Sequence, residues 1–142
     1  METQAGAMGE EAAVYDVDVI LTPGINIMRN PLCGRNFEYF SEDPVLSGLM
    51  GAAMVNGVQS RGIGTSLKHF VANNQQVNKL NNDSRIPVKA LREIYLKGFE
   101  ICLQHSNPWT VMSSYNKIGG ILTQSNAELL RTVLREEWAV SY

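Results

Sequence analysis

Apolar residues fall into two spacings along this chain. Short runs without helical periodicity occur three times: Val17-Asp18-Val19-Ile20-Leu21, residues 65–71 and residues 109–115. Each is rich in β-branched or aromatic side chains and predicts a strand, the first stopping at Pro23-Gly24. Longer amphipathic stretches separate them. Asp43-Pro44 predicts a helix start, with Asp43 as N-cap and Pro44 at the first helical position. Leu46, Met50, Met54 and Val58 recur every fourth residue and predict its buried face, and Gly62 and Gly64 end it. A second helix starts at Pro87, with Leu91, Ile94, Tyr95, Gly98 and Cys102 on one face. A third starts at Ser125, where Glu128 three residues on completes a capping-box pattern. Leu129, Leu130, Val133, Leu134 and Trp138 make its apolar face. Residues 73–85, rich in Asn and Gln, read as a polar loop.

The predicted order is a helix, then strand–helix three times over. That rhythm means parallel strands covered by helices, an α/β fold. An open doubly wound sheet and a closed barrel both fit it, and the pattern does not choose between them. There is no internal repeat, low-complexity segment or linker, so the 142 residues read as one architectural unit.

Composition narrows the function classes. Hydrophobic residues make up 44% and charged residues 18%, which is ordinary for a folded domain and excludes a disordered chain. A net charge of -2 with no Lys/Arg run argues against a nucleic-acid partner. No apolar run reaches the roughly 18 residues of a membrane span, so no membrane partner is expected. Residues 1–10 lack the basic-then-apolar pattern of a secretory leader. Cys33 and Cys102 share no metal-type spacing and read as reduced thiols; no metal and no cofactor is expected. Gly24, Gly34 and Gly64 lack the spacing of a nucleotide-binding loop.

Candidate chemistry lies in three polar clusters that follow or close the strands: residues 30–43, 68–76 and 113–117. Parallel α/β folds gather strand C-terminal ends on one face, so the three clusters could share a pocket. Lys68 and His69 are adjacent, and on a regular strand they would point to opposite sides. They share a ligand only if the strand ends or twists there; otherwise Lys68 is a rim lysine and His69 a hydrogen-bonded structural histidine. Arg35 and Glu38 are close enough to pair, which either fixes the guanidinium for a ligand or ties down a loop. His105 sits at a helix end. No carboxylate occupies a strand C-terminal end. Asp16 and Asp18 flank a strand start, Glu38, Glu42 and Asp43 look like pairing and capping groups, and Asp83 sits in the long loop.

Several longer strings carry a family resemblance. Pro23-Gly24-Ile25-Asn26-Ile27, the run over residues 30–44, Lys68-His69-Phe70-Val71-Ala72-Asn73-Asn74, Ala90-Leu91-Arg92-Glu93-Ile94-Tyr95 and Met112-Ser113-Ser114-Tyr115-Asn116 resemble glycoside hydrolase family 3, in that family's order. The resemblance spans about residues 6–138. It implies a partial (β/α)8 TIM-type barrel with about three parallel strands, followed in most members by a second α/β domain. It also implies metal-free, retaining removal of terminal β-linked glucose or a related sugar. The family's sugar grip maps onto Arg35, Lys68, His69 and Tyr115.

The departures shape the expectation further. Two-carboxylate glycoside hydrolysis with retention needs carboxyl groups about 5–5.5 Å apart. The family's nucleophile is the Asp of a Ser-Asp-Trp or Thr-Asp-Trp strand end, its acid comes from the second domain, and an earlier strand carries a sugar-binding Asp. None of these is in the sequence, so residues 1–142 read as a central barrel fragment, inactive alone, whose partners are the missing strands and the second domain. Asp83-Ser84-Arg85 stands where one branch carries a catalytic Asp-Ser-His, and Asn73-Asn74 stands in place of that branch's Gly-His-Gly. Arginine does not shuttle protons near neutral pH. Both point to the β-glucosidase or β-xylosidase branch. The alternative is a non-catalytic sugar-binding or scaffold chain derived from the same barrel.

Overall fold

The computed structural model describes residues 1–141. Its elements follow the chain as α1 (Glu2–Val14), β1 (Val19–Ile20), a 3-10 turn (Asn36–Glu38), α2 (Pro44–Gln59), β2 (Gly64–Phe70), β3 (Asp83–Ser84), α3 (Val88–Ala90), a π turn (Leu91–Tyr95), α4 (Lys97–His105), β4 (Thr110–Ser113), β5 (Lys117–Ile118), β6 (Ile121–Leu122), a second 3-10 turn (Thr123–Ser125) and a closing π-helical segment (Glu128–Glu137). The central sheet has the order β1-β2-β4, all parallel. This is the α/β arrangement that the strand–helix rhythm predicts, with all three expected strands present. The first is shorter than its apolar run, but its line continues through Gly24, which bridges Lys68 in parallel.

Asp43 caps α2 as its position predicts: its carboxylate accepts from Val45 N at 2.7 Å and Leu46 N at 3.4 Å. The predicted face of α2 holds at Val58, which is fully buried, but is displaced earlier in the helix: Leu46 is 48% exposed, whereas Gly48, Gly51, Ala52 and Val55 are buried. The reason is helix–helix contact. A Cβ on Gly48 would lie 2.7 Å from the Gly98 carbonyl oxygen of α4 and 2.8 Å from Ile101 Cβ. Small residues thus face the partner helix and let the backbones meet, and hydropathy spacing does not register them.

The second predicted helix is interrupted. Leu96 N donates to Leu91 O at 2.8 Å, a five-residue step. Gly98 and Cys102 are buried as expected and are joined by Leu96 and Phe99, while Ile94, expected inside, is 39% exposed. In the last helix the cap is Asn126, not Ser125: Asn126 Oδ1 accepts from Leu129 N at 3.3 Å. Ser125 Oγ bonds Leu122 O instead, inside the 3-10 turn that precedes the helix. Its apolar face is as expected, with Leu129, Val133 and Leu134 buried.

The main core lies between the sheet and these helices. Phe70 of β2 sits edge-on to Phe99 at 5.2 Å between centroids and to Trp138 at 6.2 Å. Burying such rings contributes the largest share of apolar burial per residue. Val71 and Ala72 continue the core past the strand end, so the backbone leading into the polar cluster is anchored by packing.

The stretch read as a polar loop carries one short strand. Its end forms β3, which pairs in parallel with β5, and β5 pairs with β6 in a hairpin closed by Gly119-Gly120. Both glycines have positive φ (58° and 86°), as a two-residue hairpin turn requires. Asp83 Oδ1 accepts Gly120 N at 2.9 Å and fastens the loop to the turn.

Candidate active site

The strand C-terminal ends of β1, β2 and β4 carry the polar clusters. Asn30 shapes the first of them: its Oδ1 accepts Leu32 N at 2.9 Å, and its carbonyl accepts Asn36 Nδ2 at 2.8 Å. This turn leads into the 3-10 turn, where side chains three apart eclipse one another. Arg35 and Glu38 therefore meet, Nε to Oε1, as their spacing suggested. Glu38 also has a second partner that the sequence did not reveal. Its Oε2 lies 2.8 Å from Lys68 Nζ on β2. The one carboxylate thus holds two cations from separate loops, and all three side chains are largely buried, with exposures of 25% (Arg35), 17% (Glu38) and 13% (Lys68).

Lys68 and His69 do both serve this end of the sheet, because the β2–β4 register shifts between Lys68 and Phe70 and breaks strict alternation. His69 is 4% exposed. Asn26, just beyond the β1 line, clasps its backbone: Asn26 Nδ2 donates to His69 O at 2.9 Å, and Asn26 Oδ1 accepts His69 N at 3.0 Å. Its ring nitrogen Nδ1 lies 3.3 Å from the same Oδ1 and 3.2 Å from Tyr39 Oη. Tyr39 is buried in turn against Asn73. Asn26 and Tyr39 were missed in the sequence. Asn26 left a signal, a polar residue two positions after a strand-ending Pro-Gly; Tyr39 left none distinct from a core aromatic.

Tyr115 stands apart from this knot. Its neighbours Ser114 and Asn116 are both 1% exposed and bond Val71 O, at 3.0 Å and 3.3 Å, which pins the end of β4. The Tyr115 ring between them is 57% exposed, with Lys79 Nζ 5.5 Å from its centroid. Lys79 comes from the Asn-rich loop and is a third cation on this side, also missed in the sequence. A cleft of about 490 Å³, lined by Arg29, Asn74, Gln75, Arg85 and Tyr95 among others, opens beside the Asn-rich loop; Arg35, Lys68, His69 and Tyr115 do not line it. Arg85, in the stretch compared above with a catalytic Asp-Ser-His, is 84% exposed and paired with Asp83 at 3.2 Å.

Electrostatics follow from this packing. Burial alone would raise the Glu38 carboxyl, but hydrogen bonds from Arg35 and Lys68 outweigh it and hold it below the usual carboxylate range. Burial, reinforced by the charges of Arg35 and Lys68, lowers the His69 imidazole from 6.5 to about 4, against the opposing pull of Glu38. Burial raises the Tyr39 phenol well above its ordinary value, so it stays protonated.

A stability prediction arises here. The folded His69 value lies below the unfolded one, so the fold favours the neutral ring. Its contribution is complete above about pH 6.5 and is lost as pH falls toward 4, a total of about 3 kcal/mol. Urea unfolding across that range should show a steeper loss in the wild-type chain than in His69→Gln. Parallel pH profiles would refute the buried, neutral assignment. The Glu38 contribution, present above about pH 4.3, is lost only as pH falls further through its depressed value.

Comparison with known proteins places this geometry in context. The family model described as the glycosyl hydrolase family 3 N terminal domain matches residues 1–141. An exo-α-(1→6)-L-arabinopyranosidase of Bifidobacterium longum is 55% identical over 132 residues, covering 93% of this chain and 17% of that protein. Thermostable β-glucosidase B of Acetivibrio thermocellus is 48% identical over 138 residues, covering 97% of this chain and 18% of its own length. Among solved structures, β-glucosidase 3B from Thermotoga neapolitana in complex with α-D-glucose is 58% identical, with a TM-score of 0.95 over 98% of this chain and 19% of that one. The chain thus spans less than a fifth of the length of these relatives.

Proposed function

The chain belongs to glycoside hydrolase family 3, within that family's N-terminal domain, and from that premise we propose that it supplies the sugar grip of a retaining enzyme that removes terminal β-linked glucose or a related pyranose. In this reading residues 1–142 are the central part of a barrel domain, and the carboxylates that cleave the glycosidic bond come from other parts of the same protein.

The observation that carries the reading is the Glu38 knot. Lys68 has three N–H donors and spends one on Glu38; Arg35 likewise has donors beyond the one it gives. The remaining donors are oriented, charged and shielded from bulk water, which strengthens hydrogen bonds to sugar hydroxyls. His69 adds a neutral imidazole beside them, and Tyr115 adds an exposed ring at the end of β4. Glu38 serves as counter-ion to both cations and so is not free to act as nucleophile or acid.

One relative favours a wider substrate range. The 55% identical Bifidobacterium protein is an arabinopyranosidase, so this same stretch of barrel accompanies a sugar other than glucose in that protein. The test is the full-length gene product against p-nitrophenyl β-glucoside, β-xyloside and α-L-arabinopyranoside, with the anomer of the first product followed by proton NMR. Release with retained configuration supports the proposal. A folded protein that binds glucose but cleaves none of them would leave the non-catalytic sugar-binding reading in its place.

A further inference from the structure

Arg35 and Lys68 can only donate hydrogen bonds. The two carboxylate oxygens of Glu38 are each taken by one of them. A sugar hydroxyl both donates and accepts, so a ring nitrogen of His69 that no cation already claims complements these donors. Which nitrogen of His69 carries the hydrogen therefore decides what the cluster can bind.

Asn26 determines this. Its amide makes two bonds to the backbone of His69, donating through Nδ2 and accepting through Oδ1. Turned over, it would set NH2 against N–H and oxygen against carbonyl, so its orientation is fixed. The same Oδ1 faces His69 Nδ1 at 3.3 Å. An amide oxygen has no hydrogen to give. Nδ1 must supply it. The competing arrangement has Tyr39 donating to a bare Nδ1 across 3.2 Å. That would leave lone pairs of Nδ1 and Oδ1 facing each other in a buried place, at a cost in free energy that nothing nearby offsets. Tyr39 does not need it: its hydroxyl reaches Asn73 O at 3.5 Å and receives Asn73 Nδ2 at 3.4 Å. Among the described residues Nε2 has no hydrogen-bond partner.

We infer that Asn26 is a positioning residue that locks His69 as the Nδ1–H tautomer and so makes Nε2 the acceptor for one sugar hydroxyl, beside cations that only donate. The inference rests on the sugar-gripping role proposed above for its consequence, but not for its test. It makes the site selective for a hydroxyl with a free proton. A site whose polar group is left unpaired by an analogue rejects that analogue strongly.

The test uses the full-length protein labelled with 15N at histidine only, sedimented and examined by magic-angle-spinning NMR at neutral pH without ligand. His69 is assigned by comparison with His69→Gln. A protonated Nδ1 and a bare Nε2 are expected in the wild type and also in Tyr39→Phe, where Asn26 acts alone. A bare Nδ1 in the wild type, or a change of tautomer in Tyr39→Phe, overturns the inference. No substrate is involved, so this result stands or falls separately from the hydrolase reading. A third variant reads the consequence. Asn26→Asp removes the donor to His69 O, so circular dichroism must first show that the variant keeps its fold; its carboxylate beside Nδ1–H favours the imidazolium, which has no acceptor, while Arg35, Lys68, Lys79 and Glu38, the other charges acting on the ring, are unchanged. The KM for an aryl β-glucoside should then rise about tenfold as pH falls through the raised imidazole value, with kcat less affected. A KM that follows the wild-type pH profile counts against the acceptor role.

Discussion

Incubated with an aryl β-glucoside, the 142-residue chain by itself is expected to release no aglycone above the uncatalysed rate. Hydrolysis with retention needs two carboxyl groups flanking the scissile bond, about 5–5.5 Å apart. Among the described residues, the carboxylate in contact with Arg35 and Lys68 is Glu38, and both its oxygens are committed to them. Asp43 is spent on the N-terminus of α2, and Asp83 on Gly120 and Arg85. Binding groups alone do not replace a nucleophile and an acid, and enzymes of ordinary power owe about a million-fold or more to the whole assembly. Full-length protein assayed in parallel gives the reference rate. Robust turnover by the chain that survives repurification would overturn the assignment of Glu38 as a counter-ion and of this segment as a binding element.

In the full-length protein, Lys68→Ala and His69→Ala should each lower kcat/KM by about 2–4 kcal/mol, roughly 30- to 1,000-fold. Each variant removes a group held in place before substrate arrives. Lys68→Ala also leaves Glu38 with one cation in place of two, and His69→Ala leaves Asn26 Oδ1 and Tyr39 without their ring partner. Part of the loss is therefore shared, and the double variant should fall short of the sum of the singles, as expected within one network. Steady-state kinetics of the three variants, with circular dichroism to confirm folding, is the measurement. Near-wild-type constants for both single variants would make the pair structural.

The strand–helix rhythm, the α2 cap and the Arg35–Glu38 contact were legible in the sequence because each depends on residues within a few positions of one another. The choice between open sheet and barrel was not, since both share the rhythm; likeness to solved family members makes the three strands part of a TIM-type barrel. What escaped depends on contacts between distant segments. The second partner of Glu38 lies thirty positions away on β2, and the Asn26–His69 clasp joins residues 43 apart. The buried face of α2 was misplaced because glycine and alanine carry little hydropathy while permitting the closest helix contacts. The π turn at residues 91–95, which no regular period predicts, interrupts the helix where Ile94 is left exposed, while Gly98 and Cys102 beyond it are buried as expected. The β5–β6 hairpin was readable after all: Gly119-Gly120 between Lys117-Ile118 and Ile121-Leu122 is a hairpin signal, overlooked because the flanking strands are only two residues long.

The clasp on His69 also bears on how the first two strands part at their C-terminal ends. Up to Lys68 the first two strands are joined backbone to backbone, Lys68 N to Pro23 O and Ile25 N to Lys68 O. At His69 the ladder continues through a side chain, with the Asn26 amide presenting one donor and one acceptor as a peptide group would. A side-chain amide reaches further than a main-chain one, so the two chains can splay without stranding a buried peptide group. The sheet thus gives up one backbone rung at His69 without stranding a buried polar group, so the two chains can part there while the rungs below stay closed.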